Sequence, residues 1–541
     1  MQKVRLVFEE LKQKYEQQKP KKGVPVIRWL PIGNSSSEDF NAHYSGGTVT
    51  IKAEGYLGAI HGLQRIKTGI LSGHLVDFLG VSTPHFKLRP LWLDESIKVV
   101  LSEPAKIHAF CKKVLELGYN AVVVDQVYDQ LHSLKALCTN LQSYGLKVIF
   151  KSSFLQNQKL EKRSPLNKTY SESIVKYLKE TVTQNLSFDF LFWESHWQQP
   201  EFIDAPHADG LTLPEVVLRE ARLLESCLDK TQTLIFYVPA ENAHAAMQCA
   251  KWMPRLADDL GQKTVLAFPA VAGDALADFL PPHPVWEHLR LRLETSSAPL
   301  MPLLNVGQVK QSEGLWPVLV HDLIDEYMLR CQNGHFSGIL AIVNQLPGEG
   351  GVHDCNLWVA SQAMWTQRIP AFLLMETWFS AHRPDWNYNA YSFQLRQIRT
   401  LSKQLGILRC LTHENNRDQL SNQECRLFAE SILAQLHEIQ SKLEKEERKR
   451  LKKSDKTTLW DYFTYFAFDA RRMILHALQC FNVSIPNILG EDDLKESFWT
   501  EFSGKLGQST RSNARVTFLE LPQKGVPGSR MHMIYQENRL F

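Results

Sequence analysis

Between about Leu88 and Asn344, eight short apolar runs recur along this chain, most of them separated by stretches long enough for a helix. In order they are LRPLWLD (Leu88 to Asp94), NAVVVDQ (Asn120 to Gln126), KVIFKSS (Lys147 to Ser153) and DFLFWES (Asp189 to Ser195). TLIFYVP (Thr233 to Pro239), TVLAFPA (Thr264 to Ala270), MPLLNV (Met301 to Val306) and GILAIVN (Gly338 to Asn344) follow. Short runs of β-branched, Leu and aromatic residues set between helical segments predict parallel strands joined by right-handed crossovers. Eight of them within about 255 residues is the number and size that close a (β/α)8 TIM barrel, an α/β fold. Chemistry in that fold sits at the C-terminal ends of the strands, so those ends are where to look.

The intervening segments support the assignment. Pro104 to Gly118 opens with a proline suited to a first helical turn and stops at a glycine. Ser171 to Val182 and Leu213 to Leu228 carry apolar residues at helical spacing. The connection from Gly273 to Pro299 is long, with room for a hairpin or short helix over the barrel mouth.

Ahead of the barrel, residues 1–84 predict a small α/β domain. The N-terminal stretch reads as an amphipathic helix with no apolar segment of a secretory signal. Val24 to Ile32 and Thr48 to Ala53 read as strands, Leu57 to Ile70 as a helix packed on them, and Asn34 to Phe40 as a polar loop. The barrel domain is placed at 85–383. Residues 384–541 read as mainly helical, with one or two strands at Ala514 to Pro522 and a mixed charge run at Lys442 to Lys453 that suits a solvated helix end.

Composition narrows the function classes. A net charge of +3, with basic and acidic residues mixed in the same segments, gives no electrostatic footprint for nucleic acid. No run approaches the length of a membrane helix. Nine cysteines without a repeated spacing predict reduced thiols and a cytoplasmic location. No spacing of His, Cys or carboxylates suggests a metal site, and no Gly-rich loop suggests a phosphate cofactor, so neither metal nor cofactor is expected.

The strand ends are rich in acids: Asp94 and Glu95, Asp125, Glu194, Glu241, Asp274, Glu313 and Glu349. Glycosidic bond hydrolysis needs two carboxyl groups flanking one bond, and a barrel supplies them from different strand ends. Glu194 stands between Trp193 and Ser195 with Trp197 near. Aromatic neighbours desolvate a carboxyl and raise its pKa, as a general acid requires. Trp193 and Trp197 offer faces for a sugar ring. Arg89, Asp94, Lys151 and His353 are candidates for holding sugar hydroxyls or a substrate carboxylate. The competing reading of Glu194 is a salt bridge to Arg89 across the mouth.

Four segments resemble known glycoside hydrolases. GTVTIKAEGYLGAIHGLQRI, ending at Ile66, resembles the small domain that precedes the barrel in β-N-acetylhexosaminidases and α-glucuronidases, with its strand followed by a G-x-x-x-G-L-Q helix. FKLRPLWLDES (Phe86 to Ser96) resembles their first barrel strand, and ELGYNAVVVDQ (Glu116 to Gln126) the second, entered through a G-x-N turn. GEGGVHDCNLWVASQAMW (Gly348 to Trp365) resembles the stretch after the eighth strand of α-glucuronidases, with His353, Asn356 and Trp365 at matching positions. The resemblance implies a sugar-binding role for Arg89 and substrate contacts for His353 and Asn356. It also implies an inverting mechanism in which Asp274 or Glu313 activates water, and a homodimer through the C-terminal helices.

The chain also departs from these families. Hexosaminidases carry an adjacent Asp-Glu pair after the fourth strand, and here Trp193 precedes Glu194. Relative to the Q-P turn of α-glucuronidases, Glu194 sits three positions early. The primary expectation is a hydrolase of an oligosaccharide bearing a uronic acid or amino sugar. The alternative is a catalytically degenerate barrel that binds carbohydrate without cleaving it.

Overall fold

In a computed structural model of the chain, the described residues are 2–17, 24–93, 104–125, 131–152, 165–183, 185–198, 210–240, 243–269, 292–293, 295–306, 319–331, 336–343, 352–365, 369–386, 388–412, 421–450, 459–481, 483, 514–519 and 532–537. They fall into two compact units, the first running to His382 and the second holding the helices from Arg383 onward.

The first unit begins with helix α1 (Gln2–Gln17) and a four-stranded sheet in the order β1-β3-β2-β4. Its strands are β1 (Val26–Trp29), β2 (Phe40–Ser45), β3 (Thr48–Ala53) and β4 (Gly80–Ser82), and helix α2 (Tyr56–Ser72) packs on them. Strand β2 begins at Phe40, the last residue of the stretch that reads in the sequence as a polar loop, and extends through residues the sequence left unassigned. Gly46 and Gly47 both take positive φ, +55° and +79°, and turn β2 back onto β3. A Gly-Gly pair between short strands is the signature of a tight hairpin.

The G-x-x-x-G-L-Q pattern has a steric cause. A Cβ at Gly58 would collide with the Asp39 carbonyl oxygen, and one at Gly62 would press on the Phe40 ring at 3.1 Å. The loop carrying Glu38 can therefore lie directly on α2.

The barrel closes through strands β5 (Pro90–Leu93), β6 (Ala121–Asp125), β7 (Lys147–Lys151), β8 (Phe190–Glu194), β9 (Thr233–Tyr237), β10 (Thr264–Pro269), β11 (Leu300–Asn305) and β12 (Leu340–Val343). All neighbours are parallel, and β12 pairs with β5. The eight strands coincide with the eight apolar runs. Outer helices are α3 (Pro104–Leu117), α4 (Leu131–Ser143), α5 (Lys168–Lys176), α6 (Leu213–Glu225), α7 (Ala243–Leu260), α8 (His321–Cys331) and α9 (Val352–Ala363), with α10 (Ala371–His382) closing the unit. Most of the connection from Gly273 to Pro299 lies outside the described residues. Alternate residues fill the interior, among them Ala121, Val123, Ile149, Phe192, Ile235 and Met301.

The second unit holds α11 (Tyr388–Thr412), α12 (Asn422–Arg450) and α13 (Leu459–Cys480), and an antiparallel pair β13 (Ala514–Leu519) and β14 (His532–Glu537). The charge run from Lys442 begins on the last turns of α12. No described helix is long and apolar enough to cross a membrane.

A buried polar knot ties the small sheet to the barrel's N-terminal end. Arg89 immediately precedes β5 and is fully buried. Its Nε donates to the Gly118 carbonyl at 2.9 Å, one terminal nitrogen to the Phe86 carbonyl at 3.1 Å, and the other to Glu38 Oε2 at 2.9 Å. Asn120 Oδ1 accepts from the Arg89 backbone at 2.8 Å, while its Nδ2 donates to the Lys87 carbonyl at 2.9 Å. The Trp365 ring lies 5.2 Å from the Arg89 guanidinium and 5.1 Å from that of Arg65.

Arg89 was expected to hold sugar at the mouth. Its place is the opposite end of the strand, buried among the Gly118 and Phe86 carbonyls and Glu38 and away from Glu194 and the mouth. The motif residues around it, Gly118, Asn120 and Trp365, serve the same knot.

Burial alone would raise the Glu38 carboxyl, but Arg89 and His61 outweigh it and hold it at about 2. A depressed carboxyl contributes stability that is complete above its unfolded value and is lost as pH falls toward the folded one. Glu38→Ala leaves a guanidinium buried without its counter-charge, so it is expected to lower unfolding free energy by about 3–5 kcal/mol in denaturant titrations at neutral pH. The variant should also lose part of the acid dependence that the wild type shows below about pH 4.5.

Candidate functional site

The barrel's C-terminal mouth is built by continuing the interior alternation one step past the apolar layers. From Phe190 and Phe192 the inward face of β8 reaches Glu194. By the same count β6 presents Asp125, β7 presents Lys151 and β9 presents Tyr237. The register places Asp125 beside Lys151 and Glu194 beside Tyr237. Beneath them lies an aromatic floor, with the Phe192 ring 5.5 Å from that of Trp92 and 5.6 Å from that of Tyr237.

One side of the mouth is a charged cluster. Trp92 Nε1 donates to Asp125 Oδ2 at 3.1 Å. Lys151 Nζ lies 3.7 Å from Asp125 Oδ1 and 4.2 Å above the Trp92 ring. The ammonium is thus held by a carboxylate and a ring face, and both charged side chains still reach solvent, at 19% and 25% exposure for Lys151 and Asp125. A substrate carboxylate arriving here would share Lys151 with Asp125. Glu194, at the end of the neighbouring strand β8, is partly exposed.

Trp193, read in the sequence as a sugar platform, takes the other face of β8. It is buried at 2% exposure, and its indole N–H donates to Glu220 Oε1 at 3.0 Å in the layer between strand and helix α6. Trp197 is buried at 1%: its Nε1 donates to the Pro239 carbonyl at 2.8 Å, and its ring meets Trp252 edge-on at 5.4 Å. Neither ring is available to a sugar, because packing covers both faces that the sequence left open.

Asn356 is likewise structural. It accepts from the Val320 backbone at 3.1 Å and donates to the Val306 carbonyl at 3.1 Å, bracketing the chain after β11 against the start of α8. His353 lies on the first turn of α9. Asp94, Asp274 and Glu313 lie outside the described residues, as do Glu95, Glu241 and Glu349.

Three contributors escaped the sequence reading of the site. Trp92 and Tyr237 could have been found by extending the inward alternation to the ends of the first and fifth barrel strands. The third is Glu220, at the centre of the apolar stripe of α6 formed by Val216, Val217, Ala221 and Leu224. An acid in the middle of such a stripe is itself a signal, because a buried carboxyl must find partners. Glu220 is fully buried and accepts from Ser195 Oγ at 2.8 Å as well as from Trp193. Desolvation pushes its pKa up to about 7, against the lowering effect of the two hydrogen bonds. No group of three or more His, Cys, Asp or Glu side chains among the described residues is placed to hold a metal ion.

The sequence matches no known family model, and no curated protein matches it. The fold is similar to that of a GH138 enzyme targeting pectin rhamnogalacturonan II, at 12% identity and a TM-score of 0.55, over 89% of this chain and 68% of that one. A family 89 glycoside hydrolase from Clostridium perfringens is more distant, at 9% identity and a TM-score of 0.44 over 94% of this chain and 75% of its own. A GH20 exo-β-N-acetylglucosaminidase from Vibrio harveyi has 11% identity and a TM-score of 0.40, over 72% of each chain. At 12% identity the likeness to the GH138 enzyme shows a shared fold alone.

The raised pKa of Glu220 has a definite sign. The folded protein keeps a proton that the unfolded chain releases at its ordinary value of 4.5, so stability falls as pH rises from there through about 7. The loss is expected to be at most about 3 kcal/mol. Glu220→Gln keeps an acceptor for Trp193 and turns its amide toward Ser195 Oγ without adding charge. Denaturant unfolding across this pH range should show the decline in the wild type and its absence in the variant.

Proposed function

We propose that this chain is a glycoside hydrolase that cleaves an oligosaccharide bearing a uronic acid or an amino sugar at the barrel's C-terminal mouth. The observation that carries the reading is the placement of Glu194: an inward-facing carboxyl at the end of the fourth barrel strand, beside Tyr237. Similarity in fold to a glycoside hydrolase supports it.

In this reading Glu194 protonates the glycosidic oxygen as the bond to the anomeric carbon breaks. Asp274 or Glu313 takes a proton from the water that attacks the opposite face, which inverts the configuration. Lys151 holds a substrate carboxylate in competition with Asp125, and Asp94 and His353 contact hydroxyls.

A second reading is favoured by one observation. With Trp193 turned outward, the end of β8 offers one acid where hexosaminidases have a pair. A barrel that binds carbohydrate without cleaving it fits that arrangement.

The test is hydrolysis of aryl glucuronide, N-acetylglucosaminide, glucoside, galactoside and xyloside, together with uronic-acid-capped xylo-oligosaccharides and pectin rhamnogalacturonan II fragments. Wild type is expected to turn over one of these, and Glu194→Gln to lower kcat by about 100-fold or more. Lys151→Met is expected to raise KM about tenfold for uronic acid substrates and to leave neutral ones unchanged. Binding without turnover by the wild type favours the second reading, and turnover that survives in Glu194→Gln removes Glu194 from the mechanism.

A further inference from the structure

We propose that Glu220, outside the barrel wall, is a positioning residue that aims Glu194 into the mouth. The inference rests on the reading of Glu194 as the acid. At the end of β8 the residues on either side of Glu194 point outward, and one carboxyl takes hold of both: Trp193 through Oε1 at 3.0 Å and Ser195, just past the strand, through Oε2 at 2.8 Å. Glu194 is thus the middle of a three-residue segment pinned at both flanks from behind.

The anchor itself is fixed. Glu220 sits midway along α6, whose start is set by Pro214 and by Glu215, which accepts from the Thr212 backbone N–H and hydroxyl at 2.7 Å each. Its neighbours Val216, Val217, Ala221 and Leu224 are buried, so the carboxyl has no room to swing away. On the other edge the Ser195 backbone donates to the Tyr237 carbonyl at 2.9 Å, joining the pinned segment to β9. A shorter apolar residue at 220 would fill the stripe equally well by hydrophobicity. A carboxyl there instead costs desolvation, and its contacts are with the two residues bracketing Glu194. Placement of an acid within a fraction of an ångström is what general acid catalysis needs.

The experiment compares wild type, Glu220→Ala and Glu220→Gln on two substrates of the same sugar, an oligosaccharide and a dinitrophenyl glycoside. A dinitrophenolate leaves without protonation, so a misplaced acid slows only the oligosaccharide. Glu220→Ala is expected to lower kcat on the oligosaccharide about 10- to 100-fold with KM unchanged and to spare the dinitrophenyl glycoside, and Glu220→Gln to restore the rate. Equal losses on both substrates, or no loss, would overturn the proposal. A crystal structure of Glu220→Ala gives a readout independent of turnover: the Glu194 carboxyl should move by about 1 Å or more. If wild type hydrolyses nothing, the hydrolase reading fails alone, and that displacement still decides: a moved Glu194 supports positioning and an unmoved one refutes it. Should Glu220→Ala not fold, Ser195→Ala and Trp193→Phe each remove one anchor and carry the same comparisons.

Discussion

A closed barrel leaves each strand residue two destinations, the packed interior or the layer beneath the helices. That constraint decides which side chains reach the barrel mouth. On β8 and the residue after it, this sends Phe190, Phe192 and Glu194 inward and Trp193 and Ser195 outward. The outward pair needs polar partners in a dry layer, and Glu220 supplies both. Above the last apolar layer the inward positions meet water, and the side chains become polar: Asp125, Lys151 and Glu194, with Tyr237 amphipathic among them. Mouth and support are two faces of the same short strands.

The features most like known glycoside hydrolases lie mainly at the other end. The glycines of α2 let the Glu38 loop lie close, the G-x-N turn supplies Gly118 and Asn120 to hold Arg89, and the Trp365 ring packs against two guanidinium groups. Together they join the small sheet to the barrel's N-terminal face, where residues serve stability. Burying Arg89 is tolerable because its side-chain donors find two carbonyls and a carboxylate, and because a ring face covers it. These motifs serve the assembly of the small sheet on the barrel.

The architecture was legible in the sequence because closed parallel sheets are apolar on both faces, so their strands read as continuous runs. All eight barrel strands, and helices such as Pro104–Leu117 and Leu213–Glu225, followed from period and punctuation. The hairpin strand Phe40–Ser45 was missed because only Phe40 and Ala42 of its residues are buried. At the site, Glu194 and Lys151 came out at the mouth because a strand end is visible in the sequence. Trp193, Trp197, Asn356 and Arg89 were misplaced for a shared reason. Residue type and proximity to a strand end do not give the direction of a side chain, and period-two counting from the interior layers does. Glu220 lay outside any motif, since its partners are a strand away in space and 25 to 27 residues away in sequence.

The most direct measurement is a crystal structure of Glu194→Gln with glucuronic acid and, separately, N-acetylglucosamine. The account predicts a sugar in the barrel mouth, with the residue 194 side chain in hydrogen-bond reach of the anomeric oxygen and Lys151 near any sugar carboxylate. A sugar bound elsewhere on the barrel with the mouth empty, or no bound sugar at saturating concentration, would contradict it.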